Sequence, residues 1–438
     1  MSERTGRAGE AWPGRWRAHA TAAVSSLRVR NYRLYFIGQS ISVIGTFMQT
    51  LALAFLVLQL GGQGTEVGLV AAARLVPFIL LAPWGGLVVD RTNRRIVLLI
   101  TQIVSGLGAL VFSALAWTQL ATVPLLAGLS LVLGVVNVFD NPARQSLIAD
   151  LVDRQTLNNA VVLNSVSINV ARLVGGVVGG ALVAAVGATV CFLINAASFA
   201  AVIVSLLMLD TRAMQPITRV PRARGQIRSG LAYVAKTPEL LLPLIMLTVT
   251  GMLAYEFPTT LPLFATGTFG GTAATYGVMA AAEAAGGIVG GFVAASRVLA
   301  PRSSALAITA IGWGGAILLT ALAPTLPVAL VLLLFVGYGT ITFNSSAKSV
   351  LQLSARPNMR GRVMSLWGMA WIGSTVIGAP LVGWIAETFG SRWGLIAGGA
   401  PTVVMGVLLL PYLRRRERGH RDVPNEIVDG LDEDEGSR

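Results

Sequence analysis

Charged residues are so sparse along this chain that apolar stretches run on for twenty positions or more. Such stretches fall near residues 34–60, 67–89, 96–117, 123–141, 158–186, 189–209, 240–264, 273–295, 304–323, 326–347, 363–386 and 393–413. An α-helix needs roughly 20 apolar residues to cross the hydrocarbon of a bilayer. The pattern therefore predicts an all-α integral membrane protein with twelve transmembrane helices, six in each half.

Four of these runs carry polar residues at helical spacing. The first has Tyr35, Gln39, Ser42, Thr46 and Gln49 on one face, and the fourth has Asn137, Asn141 and Arg144. The seventh has Thr248, Met252, Glu256 and Thr259, and the tenth has Tyr338, Thr342 and Ser345. A polar face inside a bilayer must look at protein or water. Small polar residues also join helices, but four stripes together predict a shared cavity. Tyr255, Phe257, Tyr338, Trp367 and Trp371 are candidate aromatic walls for an amphipathic or cationic molecule. Pro258 and Pro262 each remove a backbone hydrogen bond and predict a bend just past Glu256.

The two halves are related. A shift of 203 positions aligns Asn141 with Asn344, Ser146 with Ser349, Leu163 with Leu366, Gly175 with Gly378, Gly180 with Gly383 and Gly187 with Gly390, without a gap. A shift of 209 aligns GLVAAAR, Gly68 to Arg74, with GVMAAAE, Gly277 to Glu283. Repeated halves in an apolar chain point to a transporter. The expected parts are an N-terminal lead (1–33), a six-helix bundle (34–209), a linker (210–239), a second bundle (240–413) and a tail (414–438).

Composition agrees. Of 438 residues 54% are hydrophobic and 12% charged, with a mean hydropathy of +0.70. The net charge of +13 is a topology signal rather than a nucleic-acid footprint. Apart from Arg74, Arg172 and Arg392, the cations gather in tails and loops on one side, which the positive-inside rule makes the cytoplasm, with both termini there. The lead lacks a signal-peptide cleavage pattern. The linker is basic, and Ile227, Leu231 and Val234 predict a short helix on the inner membrane surface within 225–235. The acidic end, Asp422 to Glu435, reads as a solvated disordered tail. Cys191 is the only cysteine, and His19 and His420 lie in the tails, so no metal or haem site is expected within the membrane. No phosphate-binding G-x-x-x-x-G-K-S/T loop occurs, which argues against ATP hydrolysis. No His, Cys or Ser constellation points to an enzyme, and no cofactor is expected.

Between the second and third runs lies Gly86-Leu87-Val88-Val89-Asp90-Arg91-Thr92-Asn93-Arg94-Arg95. It resembles the G-x-x-x-D-R-x-x-R-R signature of the major facilitator superfamily, with Asn93 where that family usually has Gly. Phe139 to Gln145, Ile148 to Val152, Asn159-Ala160, Asn164-Ser165, Ala171 to Gly175 and Gly179-Gly180 resemble its enterobactin-exporter and macrolide-efflux branch, the likeness covering residues 31–413. The resemblance implies two pseudo-symmetric six-helix bundles and a cavity lined by the first, fourth, seventh and tenth helices. It also implies a monomer of the bacterial cytoplasmic membrane that exports a small amphipathic molecule (a natural product, siderophore or drug) in exchange for protons. An acid that many relatives carry after the glycine of the first helix is Thr46 here. Gly86, Asp90, Arg91, Arg94 and Arg95 would form the gate, with Asp140 as the partner of Arg94. An uncoupled facilitator or lysolipid flippase is the alternative reading, and a non-transporting sensor or scaffold a third.

Arg74, Arg172, Glu256 and Glu283 lie inside spans, where isolated charges are expensive and tend to be functional. Depth and the packing of the resembled fold pair Arg172 with Glu283. A shared outer level pairs Arg74 with Glu256. Glu256 and Glu283 are the candidate proton carriers.

Overall fold

The computed structural model describes residues 25–153, 155–214, 226–296, 303–356 and 359–421, and their long elements are all helices. The first half contributes α1 (Arg30–Gln59), α2 (Gly64–Arg91), α3 (Arg94–Trp117), α4 (Val123–Leu151), α5 (Leu157–Val186) and α6 (Ala188–Leu207). The linker helix α7 (Gln226–Ala235) follows. The second half contributes α8 (Pro238–Leu253), α9 (Phe257–Phe269), α10 (Ala273–Ser296), α11 (Ser303–Ala321), α12 (Leu326–Ser354), α13 (Arg360–Phe389) and α14 (Ser391–Arg421). Among the described residues, twelve spans are long and apolar enough to cross a membrane, with α8 and α9 together making the seventh. The lead up to residue 24, the linker over 215–225 and the acidic end lie outside the described residues.

Several elements depart from the apolar pattern for identifiable reasons. The helices α4 and α12 continue past residues 141 and 347 to Leu151 and Ser354, because polar residues there extend each helix beyond the hydrocarbon. Pro142 sits inside α4 without ending it. The seventh span is broken rather than bent: α8 stops at Leu253, and α9 restarts at Phe257 with Pro258 in its first turn, where a missing N–H costs nothing. Rather than lying free on the membrane surface, α7 buries Val234 among Leu240, Leu351, Val363 and Leu366 of the second half. The backbone N–H of Arg356 donates to the Tyr233 hydroxyl at 3.3 Å.

The repeat is visible as geometry. Gly187 and Gly390 take φ of +85° and +107°, values that favour glycine. Each turns the chain between consecutive spans, with its N–H donated to Val183 and Ala386 respectively at 3.1 Å. Gly175 meets the carbonyl of Ile44 on α1, and Gly378 meets that of Met252 on α8. Gly180 faces Ala273 and Gly277 on α10, and Gly383 faces Gly64 on α2. The halves thus meet along two equivalent seams, α5 on α10 and α2 on α13.

Both described ends lie on one face, the near face, because the number of spans is even. The seams are tightest toward the opposite, far face. There Gly64 and Gly68 touch the backbone of Gly383, Ala379 and Pro380, leaving no room for a side chain. Thr65 donates its N–H (3.1 Å) and hydroxyl (2.6 Å) to Glu387 across the seam of α2 and α13. Phe55 stacks on Tyr276 across the halves, with ring centres 5.9 Å apart. Toward the near face Asn141, Gln145, Ser165 and Ser365 are exposed. The molecule is closed at the far face and open toward the near one.

Candidate functional site

The break between α8 and α9 presents Glu256 as the N-cap residue of α9. The side chain is 2% exposed, and its Oε1 has no hydrogen-bond partner. A hydrogen bond links the carboxyl to Thr375 of α13. Beside it, Tyr255 donates its hydroxyl to the Thr340 carbonyl at 3.0 Å. Its ring lies 4.0 Å from that of Trp371 and 4.6 Å from that of Trp313. Trp367 stacks on Trp371 at 6.2 Å, and Lys348 lies over Trp367 at 5.3 Å. The indole N–H groups of Trp367 and Trp313 are unpartnered. The second half therefore offers a half-buried aromatic wall next to a buried acid.

The first half offers charge. Asp140 of α4 is 4% exposed and is the hub. Its Oδ1 accepts from Thr101 (2.8 Å) and Gln102 (2.7 Å) of α3, and Oδ2 pairs with Arg144 one turn along α4. Tyr35 of α1 lies within electrostatic range of both charges. Arg74 of α2, half-buried, has Asp140 rather than Glu256 as its charged neighbour. Glu256 belongs to the other half, and the repeat explains the mismatch. Arg74 occupies the position equivalent to Glu283, but Thr375 on α13 stands where Arg172 stands on α5. At the level of Arg74 the second seam consequently has Thr375 in place of a charged partner.

At the first seam Arg172 approaches Glu283 at 3.6 Å and lies 5.4 Å over the ring of Phe47. Near the near face, Arg94 pairs with Asp150, not with Asp140. Arg94 opens α3 and so is level with the end of α4, whereas Asp140 lies ten residues, about 15 Å, deeper. Arg95 donates to the carbonyls of Leu206 (2.7 Å) and Leu207 (2.9 Å), capping the C-terminus of α6. Arg91 is exposed and Gly86 buried. The side chain of Asp90 lies outside the described residues. Asn93 is extended, with φ −72°, and caps α3 by accepting from the N–H groups of Arg95 and Ile96 at 3.0 and 3.4 Å. Helix capping, rather than a tight left-handed turn, is what it supplies.

The remaining cavity candidates divide. Tyr35 and Gln39 are buried with their Oη and Nε2 unpartnered, and Thr46 and Asn137 are half-buried. Gln49 instead accepts from Asn195 of α6 at 2.7 Å, which makes it a packing contact. Tyr338 sets its backbone against Gly290 of α10, and Thr342 donates to the Tyr338 carbonyl at 2.8 Å. The polar stripe of α12 thus serves packing more than a cavity. Trp313, Thr101 and Gln102 carry no signal in the sequence, because α11 and α3 show no polar stripe, and Phe343 is an apolar residue of α12 outside its polar stripe. An apolar crevice of about 600 Å³ also lies between α2, α3 and α4, lined by Val88, Ile96, Ile100, Val104, Val135 and Phe139. Among the described residues, no three of His, Cys, Asp and Glu come together as metal ligands.

The model of the family described as transmembrane secretion effector matches residues 21–427. The multidrug efflux pump Tap of Mycolicibacterium fortuitum is 27% identical over 383 residues, 84% of this chain and 93% of that protein. The staphyloferrin A transporter of Staphylococcus aureus is 23% identical over 264 residues, 59% of this chain and 65% of that protein. Among solved structures, the nucleoside transporter NupG superposes with a TM-score of 0.69 at 14% identity, covering 88% of this chain and 98% of its own. A bacterial homologue of the lysosomal transporter Spinster, inward-facing and occupied, gives 0.68 at 15%, covering 89% and 97%. These structures share the fold.

Proposed function

Since the chain belongs to the transmembrane secretion effector family of the major facilitator superfamily, we propose that it exports a small amphipathic molecule from the bacterial cytoplasm by alternating access, in exchange for protons. The observation that carries this reading is the pairing of a far-closed, near-open shape with a buried carboxyl at a broken helix. On the positive-inside rule the near face is cytoplasmic, so cargo enters the open side between the aromatic wall and the polar face of α1 and α4. Efflux-pump relatives supply the direction.

Glu256 is the proton carrier in this scheme. A bare carboxylate in a dry site is expensive, and Thr375 offers it one hydrogen bond. Protonation from the far side, when the seams part, neutralises the acid and lets the halves close over it. Release to the near side follows when water reaches the break between α8 and α9. The Arg172 and Glu283 pair, which spans one seam, positions the halves during rocking. Gly86, Asp90, Arg91, Arg94 and Arg95 form the near-face gate that locks when the far face opens.

Proteoliposomes loaded with an effluxed dye and subjected to a pH jump test the assignment. Glu256→Gln abolishes pH-driven accumulation while dye binding persists, whereas Glu283→Gln slows the conformational step. Accumulation against a gradient by Glu256→Gln places the proton site elsewhere. The crevice between α2, α3 and α4 favours a second reading, an uncoupled lysolipid flippase, whose flux survives collapse of the pH gradient.

A further inference from the structure

We infer that the cluster of Arg74, Arg144 and Asp140 binds an acidic group on the transported molecule, so the cargo is an amphiphile carrying a carboxylate or similar oxyanion. The inference rests on the transport reading above and narrows its substrate class. Two guanidinium groups here share one carboxylate, and that carboxylate is already committed. Its Oδ1 is held by Thr101 and Gln102, and its Oδ2 by Arg144. Arg74 feels Asp140 only through space and makes no hydrogen bond among the described residues. A guanidinium carries five donors and no acceptor, and those of Arg74, half-buried inside a span, meet no protein acceptor among the described residues.

Further donors stand idle around the Asp140 and Arg144 pair. Arg144 Nε, Gln39 Nε2 and Tyr35 Oη are buried without partners, and Tyr35 lies within electrostatic range of Arg144 and Asp140. The result is one positive charge in excess of the single carboxylate, with unpartnered N–H and O–H groups nearby on α1 and α4, donors that an oxyanion can satisfy. Arg74 lies at mid-membrane, where its backbone meets Gly134 within α4, and Asp140 lies about 9 Å nearer the near face along α4. The aromatic wall of Tyr255 and Trp371 belongs to the other half. An amphiphile bridging the halves puts its acid on the first and its rings or apolar body on the second.

Tryptophan-to-pyrene energy transfer on the purified protein in lipid nanodiscs reads binding at this wall without requiring transport. The probes are pyrenebutyrate, pyrenebutanol and pyrenebutyl-trimethylammonium, which share a ring and differ in charge. The acid is expected to bind about tenfold more tightly than the alcohol, with the cation weakest. Arg74→Gln and Arg144→Gln each weaken the acid about tenfold and leave the alcohol unchanged, and the corresponding lysine variants retain most of the preference. Equal binding of acid and alcohol by the unaltered protein, or equal weakening of all three probes in the variants, overturns the inference. Where the glutamine variants fail to fold, the lysine variants and the ratio in the unaltered protein decide it. A failed pH-jump experiment leaves this preference standing, and a missing preference leaves proton-driven export standing.

Discussion

The seam between α2 and α13 makes a quantitative prediction about conformational balance. A Cβ added at Gly383 would sit 2.6 Å from the carbonyl carbon of Gly64 and 3.2 Å from the Thr65 nitrogen. Relaxed carbon pairs sit at about 3.5 Å or more, so Gly383→Ala forces the helices apart by about 1 Å. Backbone on both sides leaves no flexible side chain to yield. Overpacking of this kind costs about 1–3 kcal/mol, and here it is felt only while the far face is closed. The ratio of far-open to far-closed molecules should therefore rise about 5- to 150-fold. The alanine's greater helix propensity applies to both states and cancels. Electron-electron double resonance between labels at Thr122 and Thr325, with Cys191 replaced by alanine, reads the separation of the halves at the far face. The expected result is a second, longer distance in Gly383→Ala. Gly128→Ala, at a position with open space around it, is the control and keeps the original distribution. Identical distributions in the two variants refute the reasoning.

Two further outcomes concern the near face. Asp150→Asn leaves Arg94 without its partner and lowers thermal stability in detergent by up to about 3 kcal/mol; a melting temperature within a degree of the parent's shows that the pair carries no load. Asn93→Ala removes the α3 cap and costs about 1 kcal/mol, whereas Asn93→Gly costs only a few tenths, an ordering that a denaturation series checks directly.

The spans and the repeat were legible because the bilayer imposes length, and because the two seams ask the same of equivalent glycines. Gly180 and Gly383 align in sequence for the reason they align in space: each faces a backbone in the opposite half. The approach of Arg172 to Glu283 followed from depth and from the packing expected of the resembled fold. Depth also contained the correct partner of Arg94, since Asp150 rather than Asp140 lies at the level where α3 begins. What sequence could not supply was lateral position. That Arg74 faces α4 rather than the seventh span depends on how α2 is rotated, and no periodicity records that. Trp313 joined the aromatic wall from a helix without a polar stripe, so nothing in its own neighbourhood announced it. Gln49 and Thr342 show the opposite failure, polar residues on promising faces that are spent on neighbouring helices or on their own backbone.

The backbone-to-backbone fit at the far face bears on the energetics of the whole cell. Hydrogen-bonded chains of water conduct protons, so a file of water along a seam between the halves would offer the membrane potential a short circuit. Gly64 against Gly383 and Gly277 against Gly176 leave no gap along the seams wide enough for a methyl group, let alone for a file of water molecules. The glycines thereby act as electrical insulation, letting a protein built around buried ionisable groups sit in an energised membrane without discharging it.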